Sequence, residues 1–262
     1  MSAEKRAKVK RITMKAAVAA LWLVLWQLVC IIVDIELLVV SPWKVLLRLT
    51  ELSSTAEFWQ YSLSSLGRIT EGFLLGSATG AVLAMLCHKF TFAREFFSPA
   101  VMLIKSTPVA SFIILALVWL TGQWVPVFIS FLMVLPVVYS NVFQGLREVD
   151  PKLLEMAKVY GMNRQKRVMK IYIPSVLPYM MAACRTALGL SWKAGVAAEV
   201  IGVTKHSIGR QLYYSKIYLE TADLFAWTAV VIIMSIALEK CFVWAVETVI
   251  KKFHFGRVSV SR

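Results

Sequence analysis

The sequence predicts an all-α integral membrane protein of six transmembrane helices with both termini in the cytoplasm. Three observations lead there. Of 262 residues, 59% are hydrophobic and 17% charged, and the mean hydropathy is +0.70, which leaves too little polar surface to clothe a soluble domain. The apolar residues gather into runs long enough to cross a hydrocarbon core. Lys and Arg fall in the gaps between those runs, and unequally in alternate gaps.

Residues 1–15 carry Lys5, Arg6, Lys8, Lys10, Arg11 and Lys15 and form a basic cytoplasmic N-terminus. The apolar run 16–33 that follows is long for a signal peptide and has no small-residue cleavage site after it, so it reads as a retained first span. Further spans are predicted at about 61–87, 97–120, 124–146, 176–203 and 224–248, with Gly122 and Gln123 the only clear break between the third and fourth. Residues 34–60 mix apolar and polar side chains. Pro42 is placed to start a helix there, and Trp43 and Trp59 suit the membrane interface, which predicts an interfacial helix. Residues 204–222 place Tyr213, Tyr214 and Tyr218 among Lys and Arg, which fits a headgroup-level surface or a docking face. No internal repeat or low-complexity tract is present, so 16–250 reads as a single membrane domain, followed by a cytoplasmic tail at 251–262.

Charge placement sets the orientation. With the N-terminus inside, the inner segments 1–15, 88–95, 147–175 and 251–262 hold 19 Lys and Arg, against 5 in the outer segments 34–60, 121–123 and 204–223. The net charge of +14 is thereby explained by membrane topology, and no nucleic acid partner is expected. Cys30, Cys87, Cys184 and Cys241 lie singly in apolar stretches, and His88, His206 and His254 are isolated, so no metal site is predicted.

Gly72, Gly76, Gly80 and Ala84 recur every four positions in the second span, giving one helix face against which another backbone can approach closely. The neighbour is either a helix of the same chain or a second copy. Ala183, Ala187, Ser191 and Gly195 repeat the device in the fifth span, and Glu199 is next at that spacing. Ionisable residues inside a membrane are costly and each needs a reason. Arg68 and Glu71, three apart, are expected to pair on one helix face. Lys105, Arg185, Lys193 and Glu199 are candidates for a translocation pathway. The cations either face water, where they favour an anionic solute, or reach the interface and pair with Glu199 and helix-end carbonyls. Pro108, Pro126 and Pro136 are expected to interrupt the third and fourth spans.

The loop 150–174, DPKLLEMAKVYGMNRQKRVMKIYIP, is the most polar long segment, and with Arg147 it holds the densest cationic cluster outside the N-terminus. Asp150 can cap a helix that Pro151 begins and Gly161 ends. Leu153, Ala157 and Tyr160 are predicted on one face of it, with Lys152, Glu155 and Lys158 on another. Asn163 can cap a second, basic helix running toward Pro174. Two short helices joined at a glycine make a knob for a partner's groove.

Glu155, Ala157, Gly161, Ile171 and Pro174 stand at the spacing of the EAA loop of ABC importer permeases, which this segment resembles, with Met156 at the second family residue and Ile173 where the family has Leu. The segments 65–76 (SLGRITEGFLLG), 105–108, 185–202 (RTALGLSWKAGVAAEVIG) and 222–225 are similar to the nitrate, sulfonate and taurine importer permeases. Ser207 departs from that group, taking the place of the first glycine of a Gly-x-Gly whose second is Gly209.

The resemblance implies a type I ABC importer permease fold, a homodimer in the bacterial cytoplasmic membrane, and an extracytoplasmic solute-binding protein that delivers the solute. It further implies that Glu155, Met156, Ala157, Gly161, Ile171 and Pro174 couple the chain to two cytoplasmic ABC ATPase subunits, which bind the ATP and Mg. This chain itself is expected to hold no cofactor and to be no enzyme. Its one G-x-x-x-x-G, residues 67–72, is followed by Phe73 and Leu74 rather than Lys and Ser or Thr, so it makes no phosphate loop. The expected solute is a small anion of the sulfonate, nitrate or taurine type. The alternative, an ion-coupled secondary transporter, normally needs more spans or inverted repeats, and the sequence shows neither.

Overall fold

The computed structural model describes residues 3–252. Residues 1–2 and 253–262, with His254 and most of the expected C-terminal tail, lie outside the described residues. The regular structure among the described residues is helical throughout: α1 (Ala3–Val33), α2 (Pro42–Ser53), α3 (Ala56–Lys89), α4 (Thr91–Ser106), α5 (Val109–Trp119), α6 (Val125–Arg147), α7 (Pro151–Val159), α8 (Arg164–Arg167), a π-helical turn (Val168–Tyr172), α9 (Ile173–Gly202), α10 (Ile208–Ile217) and α11 (Thr221–Lys252). The described chain separates into two compact units, one of residues up to 60 with 211–230, the other of 61–210 with 231 onward.

In the first unit the interfacial helix expected within 34–60 is α2. Ser41 caps it and Pro42 occupies its first turn, where a missing N–H leaves nothing unsatisfied. Val40 and Val45 pack with Ala226, and Trp26 stacks on Phe225 at 5.8 Å between ring centroids. Arg48 grips the Asp223 carboxylate with two nitrogens, Nη2 donating to Oδ2 at 2.9 Å, which ties α2 to the start of α11. The apolar window of α1 contains no buried residue.

In the second unit α6 is the central element. Its side chains Val134, Leu135 and Val138 form a core with Phe73 and Ala84 of α3 and with Ala183, Ala187 and Leu188 of α9. The stripe on α3 meets α6 within the same chain. A Cβ on Gly72 would stand 2.3 Å from the Val127 carbonyl oxygen, one on Gly76 2.8 Å from that of Phe131, and one on Gly80 2.8 Å from that of Leu135. Of the two neighbours the spacing allows, the structure therefore gives this stripe an intrachain one. The fifth-span stripe closes the other side: Ala183, Ala187 and Ser191 are buried, and a Cβ on Gly195 would stand 2.6 Å from Ile69 Cγ1 and 2.7 Å from Ser130 Oγ.

Among the described residues, four helical stretches are long and apolar enough to cross a membrane: Thr13–Val33, Ala56–Lys89, Val125–Arg147 and Thr221–Ala245. They contain the first and second expected spans and overlap most of the fourth and sixth. The third expected span, 97–120, is not one helix. It divides into α4 and α5, which meet at 108°. Pro108 cannot continue the helix, and it holds Thr107 in the extended region at φ −83°, ψ 133°. The 11 residues of α5 rise about 16 Å, roughly half a hydrocarbon core. The fifth expected span corresponds to α9, which at 30 residues is long enough. Arg185, Lys193 and Glu199 keep it from being comparably apolar. The interruption expected at Pro108 is thus present, but Pro126 does not interrupt the fourth span, since it sits in the first turn of α6, and Pro136 lies inside α6 and the helix runs through it.

Close approach at the glycines yields a stability test. Gly76→Ala is expected to destabilise the detergent-solubilised protein by about 1–3 kcal/mol, because backbone rather than a flexible side chain stands in the way. Gly67→Ala, whose Cβ would meet nothing within 4 Å, is expected to stay within about 0.5 kcal/mol of the parent. Thermal unfolding of the two variants side by side checks the contrast.

Candidate functional site

The loop between α6 and α9 folds as the capped knob its sequence suggested. Asp150 accepts from the Lys152 amide at 2.9 Å and starts α7; Asn163 accepts from the Lys166 amide at 2.8 Å and starts α8. Gly161 ends α7 in the left-handed region at φ +60°. The Met162 amide bonds back to the Ala157 carbonyl at 2.8 Å and the Gly161 amide to that of Lys158 at 3.1 Å, the paired closure of a Schellman cap. A Cβ on Gly161 would meet nothing within 4 Å, so backbone conformation and not space demands glycine here.

The faces of α7 differ from the expected ones. Ala157 is fully buried, and with Val149 and Ile171 it forms a small core that Leu154, Met162 and Tyr172 flank. Leu153 and Tyr160, expected on the buried face, are exposed, Tyr160 at 79%. Glu155 is also exposed, and Met156 and Val159 are open at 46% and 84%. Of the coupling residues predicted from sequence, Glu155, Met156 and Gly161 thus lie at the knob's surface, Ala157 and Ile171 inside it, and Pro174 half-buried in the first turn of α9. Val159 was not singled out from sequence, and Tyr160 only as a member of the face it shares with Ala157, although two adjacent apolar residues at the end of a polar helix were a visible signal.

The second helix does not stop at Pro174 but passes through the π-helical turn Val168–Tyr172 directly into α9. At the foot of the knob the Tyr179 hydroxyl of α9 and the Gln144 amide of α6 both donate to the Glu148 carboxylate. Those two donors, Tyr179 foremost, hold the Glu148 carboxyl below its ordinary pKa.

At the opposite end of α9 lies a buried ionic cluster. The Glu199 side chain has no exposed surface. Its Oε2 accepts from Ser65 Oγ at 2.7 Å and from the Gly209 amide at 3.3 Å; its Oε1 accepts from Arg68 Nη2 at 3.0 Å and Nε at 3.4 Å. Arg68 therefore pairs with Glu199 across helices and not with Glu71, which is exposed. A fully desolvated carboxylate gains more from a two-nitrogen partner than a solvated one three residues along the helix could.

The same groups hold the chain after α9. Arg68 Nη2 also donates to the His206 carbonyl at 2.9 Å, and Ser65 Oγ accepts from the Ile208 amide at 2.9 Å. Val203 and His206 adopt φ values of +46° and +50°, a costly backbone for β-branched Val203 in particular, of order 1–3 kcal/mol. Thr204 Oγ1 donates to the Gly122 carbonyl at 2.8 Å. Ser207 is buried and caps α10: its Oγ accepts from the Arg210 amide at 3.0 Å and donates to the Thr204 carbonyl at 2.7 Å. The departure from the family's glycine thus supplies a helix cap.

The remaining pathway candidates do not join this cluster. Arg185 and Lys193 lie on the exposed side of α9, and Lys105 at the end of α4 donates to Ser140 Oγ of α6 at 2.8 Å. Neither Arg185 nor Lys193 pairs with Glu199, and Glu199 itself has no surface from which to line a pathway. Among the described residues no three His, Cys, Asp or Glu side chains come together as a metal site.

Comparison with known proteins places this architecture. The chain is 25% identical over 218 residues to an aliphatic sulfonates transport permease protein of Bacillus subtilis, covering 83% of this chain and 78% of that one. It is 30% identical over 145 residues to a bicarbonate transport system permease protein of Synechocystis, covering 55% and 51%. Its fold is similar to a chain in the crystal structure of an amino acid ABC transporter with histidines, with a TM-score of 0.60 at 16% identity over 78% of this chain and 97% of that one. A chain of a bacterial alginate ABC transporter in complex with an alginate pentasaccharide-bound periplasmic protein gives 0.58 at 14% identity over 94% and 97%. Residues 72–254 match the model of the binding-protein-dependent transport system inner membrane component; the chain belongs to that family, as a multi-pass cytoplasmic membrane protein and the permease component of an ABC importer.

Proposed function

We propose that this chain pairs with a second copy of itself to form the translocation pathway for a small anion, takes the solute from an extracytoplasmic binding protein, and is driven by two cytoplasmic ABC ATPases docked on the loop 150–174. One observation carries the reading: a capped knob, rigid in its own core, sits directly between α6 and α9 and turns Met156, Val159 and Tyr160 outward beside Glu155. Exposed apolar side chains on a small, well-capped helix are an anchor for a partner's groove. As the ATPases close on ATP, the groove carries the knob with it, and α6 and α9 tilt as packed bodies to open the pathway outward. The ATP and Mg belong to those subunits.

The anionic solute is supported by chemistry and by kinship. Lys105, Arg185 and Lys193 are cations within apolar helices that the buried carboxylate leaves to other partners, and the two relatives above are named for sulfonates and bicarbonate, both anionic. The inner placement of both termini rests on the Lys and Arg bias.

Two measurements bear on this. In vesicles reconstituted with the ATPases and the binding protein, Gly161→Val is expected to lower solute uptake and solute-stimulated ATP hydrolysis by about tenfold, since a left-handed β-branched residue costs about 1–2 kcal/mol. Gly161→Asn, which tolerates that backbone, is expected to keep most of both; undiminished transport by the valine variant sinks the coupling role. For topology, a cysteine at position 158 is expected to react with a membrane-impermeant maleimide in inside-out vesicles only, and one at position 205 in right-side-out vesicles only.

A further inference from the structure

We infer that Glu199, with Arg68, is a positioning pair that fastens the strained turn 203–207 to α9 and α3, so that the turn travels with α9 as one body during transport. This rests on the permease reading above. The hydrogen bonds of the pair join α3, α9 and residues 206–209. Glu199 takes donors from Ser65, Arg68 and the Gly209 amide, while Arg68 and Ser65 turn their remaining capacity to the His206 carbonyl and the Ile208 amide. A carboxylate so enclosed has no surface for a solute. What it gains its position for is the backbone at 206–209.

That backbone needs holding. Val203 and His206 lie in the left-handed region, and such conformations persist only where surrounding contacts over-determine them. The exit of the turn has no slack, since a Cβ on Gly209 would stand 2.4 Å from Glu199 Cβ. Between the buried Thr204 and Ser207, Lys205 and His206 are exposed, so the clamped turn presents one short outward apex. The helix that carries Glu199 runs 30 residues without a break from the π-helical turn of the knob, about 45 Å of rise. Displacement at the knob is thereby delivered to the turn through a continuous helix and a buried ion pair.

The test uses the full complex with its ATPases and binding protein. Spin labels at positions 190 and 205, both exposed, are expected to give a narrow distance distribution that is the same with and without ATP. The double variant Arg68→Met with Glu199→Met removes both charges without stranding either one. It is expected to assemble with an unaltered Tm, to broaden that distribution, and to lower solute moved per ATP about tenfold. Should the double variant fail to fold, Ser65→Ala removes one anchor of the Ile208 amide and is expected to broaden the distribution in the same sense. The inference is overturned if the wild-type distance shifts on ATP binding, or if the folded variants keep the narrow distribution. Absence of any ATP-dependent uptake by the wild-type complex would instead count against the permease reading, while the distances still decide the positioning role.

Discussion

Four missing side chains set the distance at which α3 and α9 lie against α6. Gly72, Gly76 and Gly80 bring the backbone of α3 onto the carbonyls of Val127, Phe131 and Leu135, and Gly195 brings α9 onto Ile69 and Ser130. In lipid, apolar side chains gain nothing by facing one another instead of the solvent, so helix association draws on close van der Waals contact and polar bonds. The core of Val134, Val138, Ala183 and Ala187 follows from that approach. So does Ser130, fully buried where the helices converge, with its hydroxyl on the Ser191 carbonyl at 3.2 Å.

On these packed helices, two polar networks stand at the two ends of α9. At one end, Asp150, Asn163 and Gly161 satisfy the termini of two short helices, so a loop with a core of only a few apolar side chains keeps a defined shape. At the other, one carboxylate organises five backbone or side-chain groups around a turn whose conformation is unfavourable by itself. A buried ion pair is a weak source of net stability, because desolvation offsets its attraction. Its effect here is geometric: it decides where residues 203–209 stand relative to α3.

Much of the knob was legible because its determinants are local. An Asp before a Pro, a Gly ten residues after the helix begins and an Asn three residues before a lysine amide act through bonds that span two to five residues, and such bonds read off a sequence. Its inward face was not legible. Helical spacing grouped Leu153 and Tyr160 with Ala157, while the core that forms is set by Val149 and Ile171 from outside the helix, and periodicity carries no information about that neighbour.

The sequence by itself determined that the chain is helical and membrane-embedded, where its caps and small-residue stripes fall, and to which family its loop is similar, because composition, hydrophobic run length and short-range hydrogen bonding all act within a few turns of helix. Only the tertiary structure decided which helix the glycine stripe meets, that Pro108 folds the expected third span back through 108°, and that Arg68 answers Glu199 rather than Glu71. Those outcomes depend on which groups 131 residues apart are brought together inside the bundle. There a desolvated carboxylate binds the cation that can enclose it, and proximity along the chain has no say.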